Sequence, residues 1–184
     1  MSPPEPAAAT EWIARALERH EGPLLRYVTS LTGDAEQARD VVQDTFLRLC
    51  RQPPGTVEGH LAQWLFTVAR HRTLDLLRQG NRMTPLTELD LTTREAPAPS
   101  PASAAETQDA LRTMLALLRG LPRDQQEVVR LKFQGQLSYQ EIAAVTALPE
   151  GTVGYLLHTA LKTLRQRMAR LETRPDDTVR PASA

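Results

Sequence analysis

Cysteine is almost absent: Cys50 is alone among 184 residues. A lone thiol forms no internal disulfide and no Cys-rich zinc site. On its helix it reads as a small buried hydrophobe. The four histidines, His20, His60, His71 and His158, show no H-E-x-x-H or similar spacing, so no metal is assigned. Aromatic residues make up 4% of the chain, and no stretch alternates Val, Ile and Tyr as strands do. Net charge is zero, which excludes a chain that soaks up nucleic acid by bulk electrostatics. No apolar run approaches the ~18 residues of a membrane span. The opening MSPPEPAAATEW has neither a basic nor an apolar signal segment, so a cytoplasmic protein is expected. No Gly-rich phosphate loop or nucleophile elbow appears, so neither an enzyme nor a cofactor is expected.

Leu, Ala and Arg are abundant instead, and they favour helix. The expected fold is all-α, with two small helical domains joined by a flexible linker. The sharpest signal is Leu137 to Leu164. Ser138 and Glu141 form S-x-x-E, a capping box that starts a helix. Ile142, Ala143 and Val145 face inward, and small Ala143 lets a second helix cross closely. Ala147-Leu148-Pro149 breaks the pattern, and Pro149 or Glu150 begins the next helix. Val153, Leu156, Leu157, Ala160, Leu161, Leu164 and Met168 lie on one face of it. Two helices around a tight turn read as a helix-turn-helix, whose second helix enters the DNA major groove. A plain helical hairpin is the bland alternative.

Taken in order, residues 1–9 are Pro- and Ala-rich and expected to be disordered. Trp12, Ile13, Ala16 and Leu17, then Leu24, Leu25, Val28 and Leu31, predict amphipathic helix interrupted near Gly22-Pro23. Gly33 ends it and Asp34 caps the next helix. That helix, Asp34 to about Arg51, has two stripes. Ala38, Val41, Val42, Thr45 and Leu49 form the buried one. Asp40, Gln43, Asp44, Leu47 and Arg48 form the other. The second suits docking to a basic partner helix or is a solvated face; spacing alone leaves both open. Pro53-Pro54-Gly55 forces a loop. A third helix, about Glu58 to Gln79, ends before Gly80, with Leu61, Trp64, Leu65, Val68, Ala69 and Leu76 toward the core. Arg72 and Asp75 at i, i+3 read as a structural ion pair. Thr67, Arg70, His71 and Arg78 form a basic and polar strip able to track an unpaired nucleic-acid strand.

Residues 81–105 are rich in Pro, Ala, Ser and Thr and read as a linker, with a Leu86, Leu89, Leu91 cluster able to dock transiently. At the rise of a polyproline II helix it reaches ~75 Å. The second domain, 106–171, carries nine Lys/Arg against six Asp/Glu. Leu111, Met114, Leu115 and Leu118 form one helix there, ending at Gly120-Leu121-Pro122. Asp124 and Glu127 repeat the capping pattern before Val128, Val129, Leu131 and Phe133, and Gly135 stops that helix. Residues 172–184 read as a disordered polar tail.

Three motifs in this order resemble bacterial sigma factors of the extracytoplasmic-function (ECF) group, in the sigma-70 family. GDAEQARDVVQDTFLRLC is similar to the family's core-polymerase-binding helix. WLFTVARHRTLDLLR is similar to its promoter-melting helix, and LPRDQQEVVRLKFQGQLSYQEIAAVTALPEGTV to its C-terminal domain. The resemblance covers about residues 10–170. It implies a region 2-like domain over 10–80 and a region 4-like domain over 106–171. It implies that Asp40, Gln43, Asp44, Leu47 and Arg48 meet core RNA polymerase (β′ and β subunits), with the acids and the amide on a basic coiled coil of β′. It implies that Arg70, His71 and Arg78, with the loop from Gln52 to Glu58, face the −10 element of promoter DNA, where a base is flipped out. Thr152, Tyr155, Thr159 and Lys162 would read the −35 element. An anti-sigma partner is a further family expectation, and polymerase supplies the chemistry. The chain departs from the pattern at His71, where Asn is usual. It departs again at Gly154 and Tyr155, where Ser-Arg is usual, and at Thr159 and Leu161, where arginines are. Bidentate Arg–guanine contacts are the commonest specific major-groove contact, so weak or unusual −35 recognition is expected. Two alternatives stand beside this: a sigma mimic or adaptor without promoter activity, and a dimeric helix-turn-helix repressor.

Overall fold

The structure, a computed structural model, describes residues 6–53, 55–83 and 112–172. Helix α1 spans Pro6–Thr32, α2 Ala35–Cys50 and α3 Leu61–Met83, the last preceded by a 3-10 turn at Glu58–His60. The described part of α4 covers 112–119. Helix α5 is Arg123–Phe133, α6 Tyr139–Thr146 and α7 Glu150–Glu172. No strand occurs among the described residues. The Leu86, Leu89, Leu91 cluster, Leu111, residues 84–105 of the expected linker and the tail from 173 lie outside the described residues. Two compact units result. One draws on 1–96 and 130–153, the other on 97–129 and 154–184.

In the first unit α1, α2 and α3 pack on one another. Asp34 sets the start of α2: its carboxylate accepts the N–H of Glu36 at 2.8 Å and of Gln37 at 3.2 Å. These are donors the helix leaves unpaired at its first turn. Gly33 makes the preceding bend with φ 72°, a conformation that costs other residues strain. Once α2 is so aimed, Ala38, Val41, Val42, Thr45 and Leu49 are all buried, as their spacing predicts, and Phe46 joins them. The centre of this core is aromatic. Tyr27 and Phe66 are fully buried and meet edge to face, ring centroids 5.3 Å apart. Thr45 and Thr73 are buried too, and their hydroxyls donate to the carbonyls of Val41 and Ala69 at 2.8 Å. Those bonds offset the burial of a polar group.

Helix α6 packs against α3 within the same unit. The approach is close at Gly135. A Cβ there would lie 3.1 Å from the Phe66 ring, 3.3 Å from Leu137 and 2.7 Å from the Leu131 carbonyl oxygen. In the second unit the Arg167 guanidinium of α7 donates to the Leu117 carbonyl of α4 at 3.3 Å. The Gln126 side chain donates to the carbonyls of Arg119 and Leu121, tying down the α4–α5 turn.

Several expectations are corrected. Helix α1 begins at Pro6, within the segment expected to be disordered, and passes unbroken through Pro23. The missing N–H of Pro23 removes one helical bond. Burial of Ala16 on one side and Leu24, Tyr27 and Val28 on the other holds the helix together. Helix α3 does not stop before Gly80 but runs on to Met83, since Gly lowers helix propensity by only about 1 kcal/mol. Cys50 is exposed rather than buried. As the last residue of α2 it lines a groove of about 470 Å³ with Ile13, Leu17, Leu25 and Leu47. Asp124 lies inside the first turn of α5 rather than capping it, because the Pro122 carbonyl already accepts from Gln126 at 3.0 Å. Phe133, Met114, Leu115 and Met168 are exposed; Phe133 ends α5 and Met168 lies in the last turns of α7, where fewer neighbours cover the stripe.

Two tests follow from this packing. Gly135→Ala should lower unfolding stability by about 1–3 kcal/mol, the usual cost of overpacking, because backbone and ring both block the new methyl. Gly120→Ala should cost less, since its methyl meets only the movable end of Arg167 at 2.5 Å and ordinary contacts beyond. Urea titration of both variants checks the order. Burial, and then the Arg19 charge, lower the His20 pKa below its usual 6.5. The unfolded chain therefore takes up the proton first. Stability should fall as pH drops below about 6.5 toward the folded value, and His20→Gln should flatten that fall in thermal melts.

Candidate functional site

Helix α2 turns its polar stripe outward. Asp40, Gln43, Leu47 and Arg48 are exposed, with Leu47 51% accessible, and Asp44 is half-buried at the edge of the stripe. The arrangement follows from the burial of the opposite stripe, since residues i, i+3, i+4, i+7 and i+8 share a face. Asp44 has two cations beside it. Its Oδ2 lies 3.1 Å from Arg48 Nε on the same helix and 3.6 Å from Arg72 Nε on α3.

This overturns the expected Arg72–Asp75 pair. Arg72 reaches across the α2–α3 interface to Asp44. Asp75 pairs with Arg78 instead, at 3.4 Å between Oδ1 and Nη1. Both residues are exposed and one helical turn apart, whereas Arg72 is half-buried against α2. Ion pairs this accessible contribute about 0–1 kcal/mol each.

The strip on α3 keeps its outward character. His71 and Arg78 are exposed, and Arg70 is half-buried. Its positive charge is smaller than composition suggests, because Asp75 offsets Arg78. Thr67 turns its hydroxyl back to the Gln63 carbonyl at 2.8 Å. Trp64 is half-buried beside the strip. The loop before α3 is anchored by Val57, 2% accessible.

The helix-turn-helix signal is realised bond by bond. Glu141 N–H donates to Ser138 Oγ at 3.2 Å, and Ser138 N–H donates to Glu141 Oε2 at 2.7 Å. Ala147 takes a left-handed conformation, φ 58° and ψ 31°, to end α6. The Pro149 carbonyl then accepts from Thr152 and Val153, so α7 begins at Glu150. Thr152, Tyr155, Thr159 and Lys162 stand at i, i+3, i+7 and i+10 on α7 and so share one face. Tyr155 is 68% exposed and Lys162 is exposed, while Thr152 and Thr159 are half-buried. Val153, Leu157, Ala160 and Leu164 are buried on the other face.

Sequence reasoning missed the reach of Arg72, for which a one-helix periodicity carries no signal. It also missed Lys132. That ammonium sits 5.3 Å from the Tyr139 ring centroid and donates to the Leu137 carbonyl at 3.0 Å, bracing the entry to α6.

Comparison with known proteins decides the family. The model for sigma-70 region 2 matches residues 16–83, and that for sigma-70, region 4 matches residues 111–164. The ECF RNA polymerase sigma factor SigL of Mycobacterium tuberculosis is 34% identical over 170 residues, covering 90% of this chain and 94% of that protein. The chain belongs to the ECF RNA polymerase sigma factors. RpoE of Cereibacter sphaeroides, also an ECF sigma factor, is 30% identical over 156 residues, 83% of this chain and 84% of that protein. Two solved structures share the fold. RpoE from Bartonella quintana, crystallised with the anti-sigma factor NepR, superposes with a TM-score of 0.62 at 24% identity, over 87% of this chain and 96% of that one. CnrH, in complex with the cytosolic domain of CnrY, gives 0.58 at 22% identity, over 89% and 94%. This ECF sigma factor thus binds core RNA polymerase and directs promoter-specific transcription initiation. The faces of α2 and α3 lie within the region 2 match, and that of α7 within the region 4 match. No helix of the described residues is long and apolar enough to cross a membrane.

Ser138→Ala should remove about 1 kcal/mol of stability by uncapping α6. Ser138→Asp should retain most of it, because a carboxylate caps as well. Chemical denaturation followed by circular dichroism distinguishes the two variants.

Proposed function

We propose a division of labour among three helices of this sigma factor. Helix α2 docks on core polymerase through Asp40, Gln43, Asp44, Leu47 and Arg48, meeting a basic coiled coil of β′. Helix α3, through Arg70, His71 and Arg78 and with the loop before it, engages the opened −10 element. Helix α7 reads the −35 element through Thr152, Tyr155, Thr159 and Lys162. The domains that carry these tasks span 10–80 and 106–171. The observation that carries the reading is the exposed stripe of α2, where two acids, an amide and a half-accessible leucine sit on the face opposite the core. Charge-assisted contacts around one apolar anchor are a sound basis for a tight interface.

The face offered to the −35 element holds one cation, Lys162, and no arginine among its four residues. On this reading it contributes phosphate and shape contacts more than base-specific ones. The protein works in the cytoplasm and catalyses nothing itself. An anti-sigma factor holds it inactive; the support is that both fold relatives were solved in complex with partner proteins, one of them an anti-sigma factor.

The same arginine-poor face favours a second reading, an adaptor that binds polymerase without opening promoters. Run-off transcription with purified core polymerase on a library of genomic fragments separates the two. Wild type should yield discrete transcripts, and Gln43→Ala combined with Asp44→Arg should abolish them. Binding of core without transcripts supports the adaptor. Failure to bind core overturns the role given to α2, and palindromic duplex binding without polymerase then supports a repressor.

A further inference from the structure

The carboxylate of Asp44 is held in an unusual way. Its Oδ2 is closed off from solvent yet accepts no hydrogen bond. Two guanidinium edges lie near it, Arg48 Nε at 3.1 Å and Arg72 Nε at 3.6 Å, neither aligned to donate. The attraction is therefore Coulombic and carries no directional bond. Arg72 does not orient the carboxylate; it neutralises it. The oxygen lies beside a notch of about 230 Å³ between α2 and α3, lined by Gln37, Asp40, Val41, Asp44, Arg72 and Leu76. With Arg48 and Arg72 counted, two acids face two cations, and the local charge sums to zero. A basic partner approaching α2 meets a neutral cluster where composition alone promises an acidic one.

An incoming cation that donates an aligned hydrogen bond to this oxygen would make an interaction the free chain forgoes. Charge-assisted bonds of that kind are about twice as strong as neutral ones. The cation already in place must then give way. Arg72 belongs to α3, so this exchange also changes what that helix is tied to.

We propose that Arg72 is an internal competitor for Asp44, holding the carboxylate in the free chain and yielding it when α2 docks on core RNA polymerase. This rests on the assignment of the α2 stripe to core binding. Arg72 pairs with Asp44 and lies outside both the α2 stripe and the α3 strip. It sets the affinity and salt sensitivity of docking from within the molecule. Because it sits on α3, docking on one helix releases a side chain of the next.

The test is a double-mutant cycle on the full chain, measuring affinity for core polymerase by competition with a labelled copy. Arg72→Gln should tighten binding about two- to fivefold, the range that exposed ion pairs are worth. Asp44→Asn should weaken binding. In the Asp44→Asn background, Arg72→Gln should no longer have any effect. Plain relief of repulsion between Arg72 and a basic partner would tighten binding in the Asp44→Asn background as well, so loss of the effect there decides, and its persistence overturns competition. Arg72→Met keeps an unbranched apolar stem beside Leu76 and replaces Arg72→Gln if thermal melts show the latter misfolded. If removing the charge weakens binding or leaves it unchanged while Asp44→Asn still weakens it, competition is overturned and the α2 assignment survives. If Asp44→Asn leaves core affinity unchanged, the α2 assignment fails and the competition falls with it.

Discussion

Everything on the first unit's surface depends on one constraint, the burial of the apolar stripe of α2 against α1 and α3. Val41, Val42, Phe46 and Leu49 leave that helix no rotational freedom, because turning it by one position would expose a continuous apolar row. At about 25 cal/mol per Å² buried, such a change is prohibitive for a domain of marginal stability. The outward stripe is thereby placed without any interaction of its own. Asp40, Gln43 and Leu47 need no bonds to hold their direction, since the residues behind them supply it. A face placed this way does not depend on its polar groups to hold its direction.

Charge is arranged more sparingly than composition implies. The chain is neutral overall, and several of its charges are matched by a neighbour of opposite sign. Arg72 and Arg48 flank Asp44, Asp75 flanks Arg78, and Glu11 pairs with Arg15. Each pair is accessible and weak, so none secures the fold. Their effect is on recognition. Paired charges attract a partner less strongly at long range, and binding then depends on contact geometry more than on field.

Much of this was legible from local signals. The capping box at Ser138 and Glu141, the cap at Asp34 and the two stripes of α2 depend on residues within one or two turns, and each formed as its spacing predicts. What spacing could not reveal was contact between helices. Nothing in WLFTVARHR distinguishes Phe66, fully buried against Tyr27, from Trp64, which is half-buried. Arg72 was matched to Asp75 because a single helix offers that neighbour at i, i+3; the true neighbour is on another helix. Pro23 and Gly80 misled in the opposite direction. Both are local breakers, and in each case the remaining helical bonds and packing outweighed a local penalty. The departure of Phe133 has the same root, since a stripe predicts which face is apolar but not how far along the helix it is covered.

The face of α7 poses the sharper physical problem. Tyr155 projects where the family usually places a charged side chain, and on the proposed reading its ring would offer a groove edge only apolar area and one hydroxyl. Such a contact discriminates bases poorly, because a hydroxyl both donates and accepts. Specificity does not have to originate there. Two modules joined by a chain act at high effective concentration, so the second one binds usefully even when its own affinity is low. What the second module must then supply is orientation, and phosphate contacts suffice for that. On the proposed division of labour, a weak, orienting α7 paired with a discriminating α3 would place sequence choice at the melted strand, where unpaired bases expose every edge. The capping box at Ser138 fixes where α6 starts, and so contributes to that orientation without touching a base.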